Sequence, residues 1–91
     1  MKIKSVGANQ TEVAIDNFGV ILVSYATPIA IVYKDNSANV DADWNEFSKT
    51  TTKHVKHFLL RHKVPTTAIA YSHHTKLNLQ AIIDNGGLNK E

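Results

Sequence analysis

The stretch Trp44-Asn45-Glu46-Phe47-Ser48-Lys49-Thr50-Thr51-Thr52-Lys53-His54 separates a half of the chain patterned like strands from a half patterned like helices. Upstream of it, apolar residues alternate or run continuously over short stretches. Downstream, they recur every three to four residues. One such change of period argues an α+β chain. Ser48 or Thr50 supplies the capping oxygen that a helix start needs, because the first turn leaves its backbone N–H groups without partners. Val55, Phe58, Leu59 and His62 then share one side of the helix, with Lys53, His57 and Arg61 on the other. Pro65 stops it, having no N–H to donate.

Upstream, Glu12-Val13-Ala14-Ile15 alternates and closes in the turn Asp16-Asn17-Phe18-Gly19. The continuous run Val20-Ile21-Leu22-Val23-Ser24-Tyr25 reads as a central strand buried on both faces. Ala26-Thr27-Pro28 interrupts, and Ile29-Ala30-Ile31-Val32-Tyr33 gives a third strand ended by the turn Lys34-Asp35-Asn36-Ser37. Residues 39–44 read as an edge strand with Asp41 and Asp43 facing water. A strand about every ten residues with short turns argues an antiparallel meander.

Beyond Pro65, residues 66–71 fit either a fifth strand or a connector. Residues 75–85 read as a second helix with Gly86 as its C-cap. Leu77, Leu79, Ala81, Ile82 and Ile83 nearly encircle it, so it is either buried between layers or makes a homodimer contact through Leu77–Ile83. The expected fold is a single α+β domain over residues 1–91. A small antiparallel sheet of three to five strands, lying within about residues 1–46, packs against one or two C-terminal helices near 49–62 and 75–85. Its expected core is Val13, Ile15, Ile21, Val23, Ile29, Ile31, Trp44, Val55, Phe58 and Leu59.

A chain of 91 residues makes one small core, and without cysteine no disulfide or thiolate site supplements it. The start of the chain lacks a signal-like apolar run, and the longest apolar stretch, Val20–Val23, is far short of the ~20 residues that cross a bilayer. A cytoplasmic, membrane-free protein is expected. The net charge of +2 conceals a strong asymmetry. Residues 1–48 hold three Lys against six acids, whereas residues 49–76 hold Lys49, Lys53, Lys56, Arg61, Lys63 and Lys76, all five His and no acid. Such a segment attracts anions, more so as pH falls toward the His pKa of ~6.5.

The outward face of the first helix, Lys49, Lys53, Lys56, His57 and Arg61, is therefore the expected binding surface, with Trp44 and Tyr25 as neighbours. No acid is interleaved there for i, i+4 pairing. Its partner is expected to be a host or defence protein, or a protein–nucleic acid complex; the competing expectation is nucleic acid itself. Thr50, Thr51, Thr52 and His54 at the helix N-terminus suit an anion, or simply cap the helix. No glycine-rich phosphate loop accompanies them. His54, His57, His73 and His74 form no metal motif and read as surface histidines, so neither metal nor cofactor is expected. Ser48, His54 and Asp43 make a triad on paper only, without a nucleophile elbow, and no enzyme activity is expected.

Two motifs carry a resemblance. Ser24-Tyr25-x-Thr27-Pro28-Ile29-Ala30, followed by Trp44 and then Ser48-x-Thr50-Thr51-x-x-His54, resembles a small phage- and plasmid-borne domain with an S-Y-x-T-P-V-A strand and a W-S-x-T-T-x-x-H motif. The similarity covers about residues 12–60, and this chain inserts Asn45-Glu46-Phe47 between Trp44 and Ser48. It implies a compact α+β fold and an accessory role against host or defence machinery, an anti-defence inhibitor first. It transfers no catalytic residue.

Overall fold

Three of the turns in the sheet carry an asparagine in the left-handed region, Asn9 (φ 59°), Asn17 (φ 62°) and Asn36 (φ 70°). Asn tolerates that conformation better than most residues, because its short side chain bonds locally. These turns fold a meander of five antiparallel strands: β1 (Lys2–Gly7), β2 (Gln10–Ile15), β3 (Gly19–Ser24), β4 (Thr27–Tyr33) and β5 (Ala38–Asp41). Helix α1 (Lys49–Arg61) follows, then a 3-10 turn (Thr66–Ala68), strand β6 (Ile69–Ser72) and helix α2 (Thr75–Asp84). The structure is a computed structural model and describes residues 2–43, 48–73 and 75–84, without the side chains of Lys76 and Leu77.

The sheet has six strands in the order β1-β2-β3-β4-β5-β6, and β6 runs parallel to β5. It is therefore mixed rather than purely antiparallel, with one strand more than the upper expectation. The crossover through α1 makes the last pair parallel, as a strand–helix–strand unit does. Strand β1 is exposed along nearly its whole length and so shows little apolar signal in the sequence. Pro28 does not interrupt the strand as expected: β4 begins at Thr27 and takes Pro28 in beside a bulge opposite Leu22 and Val23.

The helices lie on opposite faces of the sheet. Leu22, Ala30, Val32 and Val40 meet Val55 and Phe58 of α1 on one side. Val13, Ile15, Ile21 and Ile31 meet Leu79 of α2 on the other. The continuous apolar run of β3 is thus buried from both sides, as read from sequence. Of the expected core, Val13, Ile15, Ile21, Ile29, Ile31, Val55 and Phe58 are buried. Val23 and Leu59 are only half-buried, and Trp44 lies outside the described residues.

One further expectation changes, and one open alternative narrows. Strand β5 is not an edge, because β6 pairs along it, and Asp41 is fully buried (0% exposed) instead of facing water. Its Oδ1 accepts from the Asp43 N–H at 3.0 Å. Of the two alternatives for α2, packing against the sheet is seen for three of its apolar residues: Leu79 is buried, Ile82 and Ile83 are half-buried against the sheet, and Ala81 is exposed. Gly86 lies outside the described residues.

Helix α1 ends in a left-handed residue, Lys63 (φ 54°), where glycine is usual. The Val64 N–H reaches Leu59 O and the Lys63 N–H reaches Leu60 O, both at 3.1 Å. Val64 and Leu59 each pack against the core cluster beneath this cap.

Candidate functional site on the first helix

Helical spacing puts Thr51, His54, Val55 and Phe58 on one stripe, and all four are buried. Ser48 caps the helix: its Oγ accepts from the Thr51 N–H at 3.2 Å and donates to Thr51 Oγ1 at 3.2 Å. Thr51 Oγ1 lies 3.1 Å from Ser24 Oγ, and Ser24 Oγ lies 2.8 Å from His54 Nδ1. Each hydroxyl has one proton to give. With Ser48 donating to Thr51, Thr51 is free to donate to Ser24 and Ser24 to His54. Nδ1 is then the acceptor, and the neutral ring carries its proton on Nε2.

This places two of the four residues considered for an anion, Thr51 and His54, inside the protein, while Thr50 stays exposed and Thr52 is half-buried. His54 is not a surface histidine either. The signal was legible in its i, i+3 and i, i+4 relation to Thr51 and Phe58. Burial pulls the His54 pKa below its ordinary 6.5, and the neighbouring His57 and Arg61 add to this by repelling a second positive charge.

That shift has a sign. As pH falls, the unfolded chain takes up the His54 proton near 6.5, before the folded chain does. The stability associated with the neutral ring is intact above 6.5 and is lost as pH falls through the lower folded value. The thermal midpoint should therefore drop between about pH 7.5 and about pH 5. His54→Asn, which retains a polar atom toward Ser24 but does not titrate, should drop less over the same interval. Equal slopes would show that His54 does not drive the change.

Ser24 and His54 also make a serine–histidine pair, distinct from the paper triad of Ser48, His54 and Asp43. No carboxylate orients His54 among the described hydrogen bonds, and Ser24 is only 2% exposed. In this conformation the pair joins helix to sheet and presents no nucleophile to solvent. Tyr25, next in sequence, is 54% exposed and held in the left-handed region (φ 58°), which is uncommon for a bulky side chain. Its N–H donates to Asn9 O at 2.8 Å, and its ring centroid lies 6.0 Å from that of His54.

At the other end of α1, Arg61 departs from the expected free basic face. Its Nε and Nη2 donate to Glu12 Oε2 at 2.9 and 2.6 Å. His62 Nε2 lies 3.0 Å from Glu12 Oε1 and its ring stacks edge-on against Phe58. The acid missing from the basic segment comes from β2 instead, 49 residues away from Arg61. Glu12 itself was not singled out from sequence, since nothing local links it to α1.

Lys49, Lys53, Lys56 and His57 are exposed as expected and form no ion pair among the described residues. Lys49, Lys53, Lys56 and Leu60 follow one ridge at i, i+4, i+7 and i+11, and Leu60 is 73% exposed. Trp44 and His74 lie outside the described residues, and His73 is exposed. No group of three His, Cys, Asp or Glu suited to a metal ion occurs among the described residues, and none of their helices is long and apolar enough to cross a membrane. An open cleft of about 80 Å³ between α2 and the sheet, lined in part by Ile31, Tyr33, Asn39, Thr75 and Asn78, gathers none of the expected site residues.

No curated protein and no solved structure matches the chain. A family model does match, over residues 1–76, a span that takes in the whole sheet, α1 and the Ser24–Thr51–His54 network. The chain belongs to the family of unknown function DUF8033.

Proposed function

We propose that this chain is a non-catalytic binding protein whose α1 ridge docks an acidic surface of a partner macromolecule. The observation that carries this reading is the ridge itself. Lys49, Lys53, Lys56 and His57 stand exposed on a rigid element, without an acid beside them in α1, while Glu12, the one acid that pairs with α1 among the described residues, is engaged by Arg61 and His62. Cations left unneutralised on a helix favour an anionic partner. Exposed Leu60 at the end of the ridge favours a protein surface, because it offers an apolar contact that phosphates do not use.

The leading version is a phage-type accessory protein acting on host or defence machinery in the cytoplasm, as an anti-defence inhibitor; the resemblance in the two motifs supports it. The second reading is a small nucleic-acid-binding module, favoured by exposed Tyr25, which offers a face for base stacking beside α1. A homodimer contact on α2 is the weaker expectation, since Leu79 is buried against the sheet.

Pull-down from host lysate with and without nuclease names the partner class. Lys53→Glu with Lys56→Glu should weaken capture on the order of tenfold or more, chiefly by slowing association. Arg61 is left intact because reversing it would break its pair with Glu12. The double variant should keep its stability within about 0.5 kcal/mol per site. Unchanged capture would remove the ridge from consideration. A steep log-linear loss with salt, abolished by nuclease, would favour nucleic acid.

A further inference from the structure

The sheet ends on one side in β1, and the outer edge of β1 pairs with no strand among the described residues. Six residues long, it matches β2 and β3 in length, and the pairing is regular from Lys2 to Ser5. Neither helix covers it: Lys2, Ile3, Lys4 and Ser5 are all exposed. Such an edge presents a row of backbone N–H and C=O groups without partners.

Its two faces carry different chemistry. Lys4 sits directly across from Glu12, and Glu12 turns toward Arg61 and His62 of the α1 side, so Lys4 and Lys2 face that side as well. Both oxygens of Glu12 are already engaged by Arg61 and His62, which leaves Lys2 and Lys4 without an ion-pair partner among the described residues. On the opposite face, Ile3 ends the cross-strand row Ile3–Val13–Ile21–Ile31. The inner three are buried at 4, 0 and 0%, whereas Ile3 is 67% exposed.

We infer that the β1 edge accepts an extended acidic segment of another protein as a seventh strand. Side chains of that strand alternate: carboxylates meet Lys2 and Lys4 on one face, and an apolar residue between them continues the row beyond Ile3 on the other. The same lysines disfavour a second copy of this chain, whose own Lys2 and Lys4 would approach like charges. Nucleic acid satisfies the lysines but has no apolar side chain for Ile3 and no strand backbone for the edge. This surface lies on a different element from the α1 ridge and does not depend on it.

The test is fluorescence anisotropy of a labelled Glu-Val-Glu-Val-Glu peptide titrated with the whole chain. Three competitors accompany it: a peptide of the same composition with its alternation broken, the same peptide N-methylated at alternate amides, and oligothymidylate. The alternating peptide should bind, and hydrogen exchange should slow at the β1 amides. Lys2→Glu with Lys4→Glu should weaken it at least about tenfold, Ile3→Thr should weaken it less, and Lys53→Glu with Lys56→Glu should leave it unchanged. The inference is overturned if the alternating peptide fails to bind, if the N-methylated or scrambled peptide binds equally well, or if oligothymidylate takes the lysines instead. It is likewise overturned if the chain dimerises through β1.

Discussion

Phe58→Ala should lower the unfolding free energy by about 3–5 kcal/mol, the range for emptying a buried aromatic site. A chain of 91 residues has a total of about 5–14 kcal/mol, so the variant should lose between about a fifth and all of its stability. The magnitude follows from position. Phe58 is 0% exposed, packs among Leu22, Ile29, Val40 and Val55, and stacks at 4.9 Å on His62, which holds Glu12. Losing the ring thus removes both the apolar seal of α1 and a wall of its ion cluster. Urea unfolding followed by circular dichroism measures the loss, and Phe58→Leu should cost less because it leaves a smaller void. A loss under about 1 kcal/mol would mean that α1 does not seat there.

Ser24→Ala should follow it in size, at about 2–4 kcal/mol. Removing the central hydroxyl leaves buried His54 Nδ1 without its donor and the Thr51 hydroxyl with only the bond it accepts from Ser48, and a buried polar group costs about 1–3 kcal/mol when left unsatisfied. The effect should be conditional. In the background His54→Leu, Ser24→Ala should cost less than it does alone, by a coupling of about 0.5–3 kcal/mol, since one of the stranded groups has been removed. Additive losses would show that the serine and histidine do not act through each other. Because the network joins the β3–β4 hairpin to the first turns of α1, the amides of those elements should exchange faster in Ser24→Ala than those of α2.

Both predictions concern one helix whose inward and outward faces do different work. Inward, α1 is fastened at its start by Ser24 and at its end by Glu12, with Phe58 between them. Outward, it leaves Lys49, Lys53, Lys56 and His57 unpaired among the described residues. A fastened scaffold lowers the cost of any contact the ridge makes, since the backbone carrying the charges is already in place and only the lysine side chains remain to be ordered.

How far the sequence reached depended on the distance over which each feature is specified. The strand-to-helix switch at Ser48, the cap there, the buried stripe of α1 and the doubly buried β3 all follow from neighbours within a few residues. Backbone period and turn chemistry act at that range. The turn asparagines at positions 9, 17 and 36 are equally local. The parallel pairing of β6, the burial of Asp41, the partnership of Ser24 with His54 across 30 positions and that of Glu12 with Arg61 across 49 are different. Each exists only after the crossover through α1 has closed the sheet, and no local pattern marks either partner for the other. Sequence alone therefore determined which residues are basic and which face of α1 carries them. Tertiary structure decided which stay free among the described residues, by bringing the single carboxylate of Glu12 from β2 under Arg61 and His62, and by leaving Lys2 and Lys4 on a strand edge that none of those residues pairs.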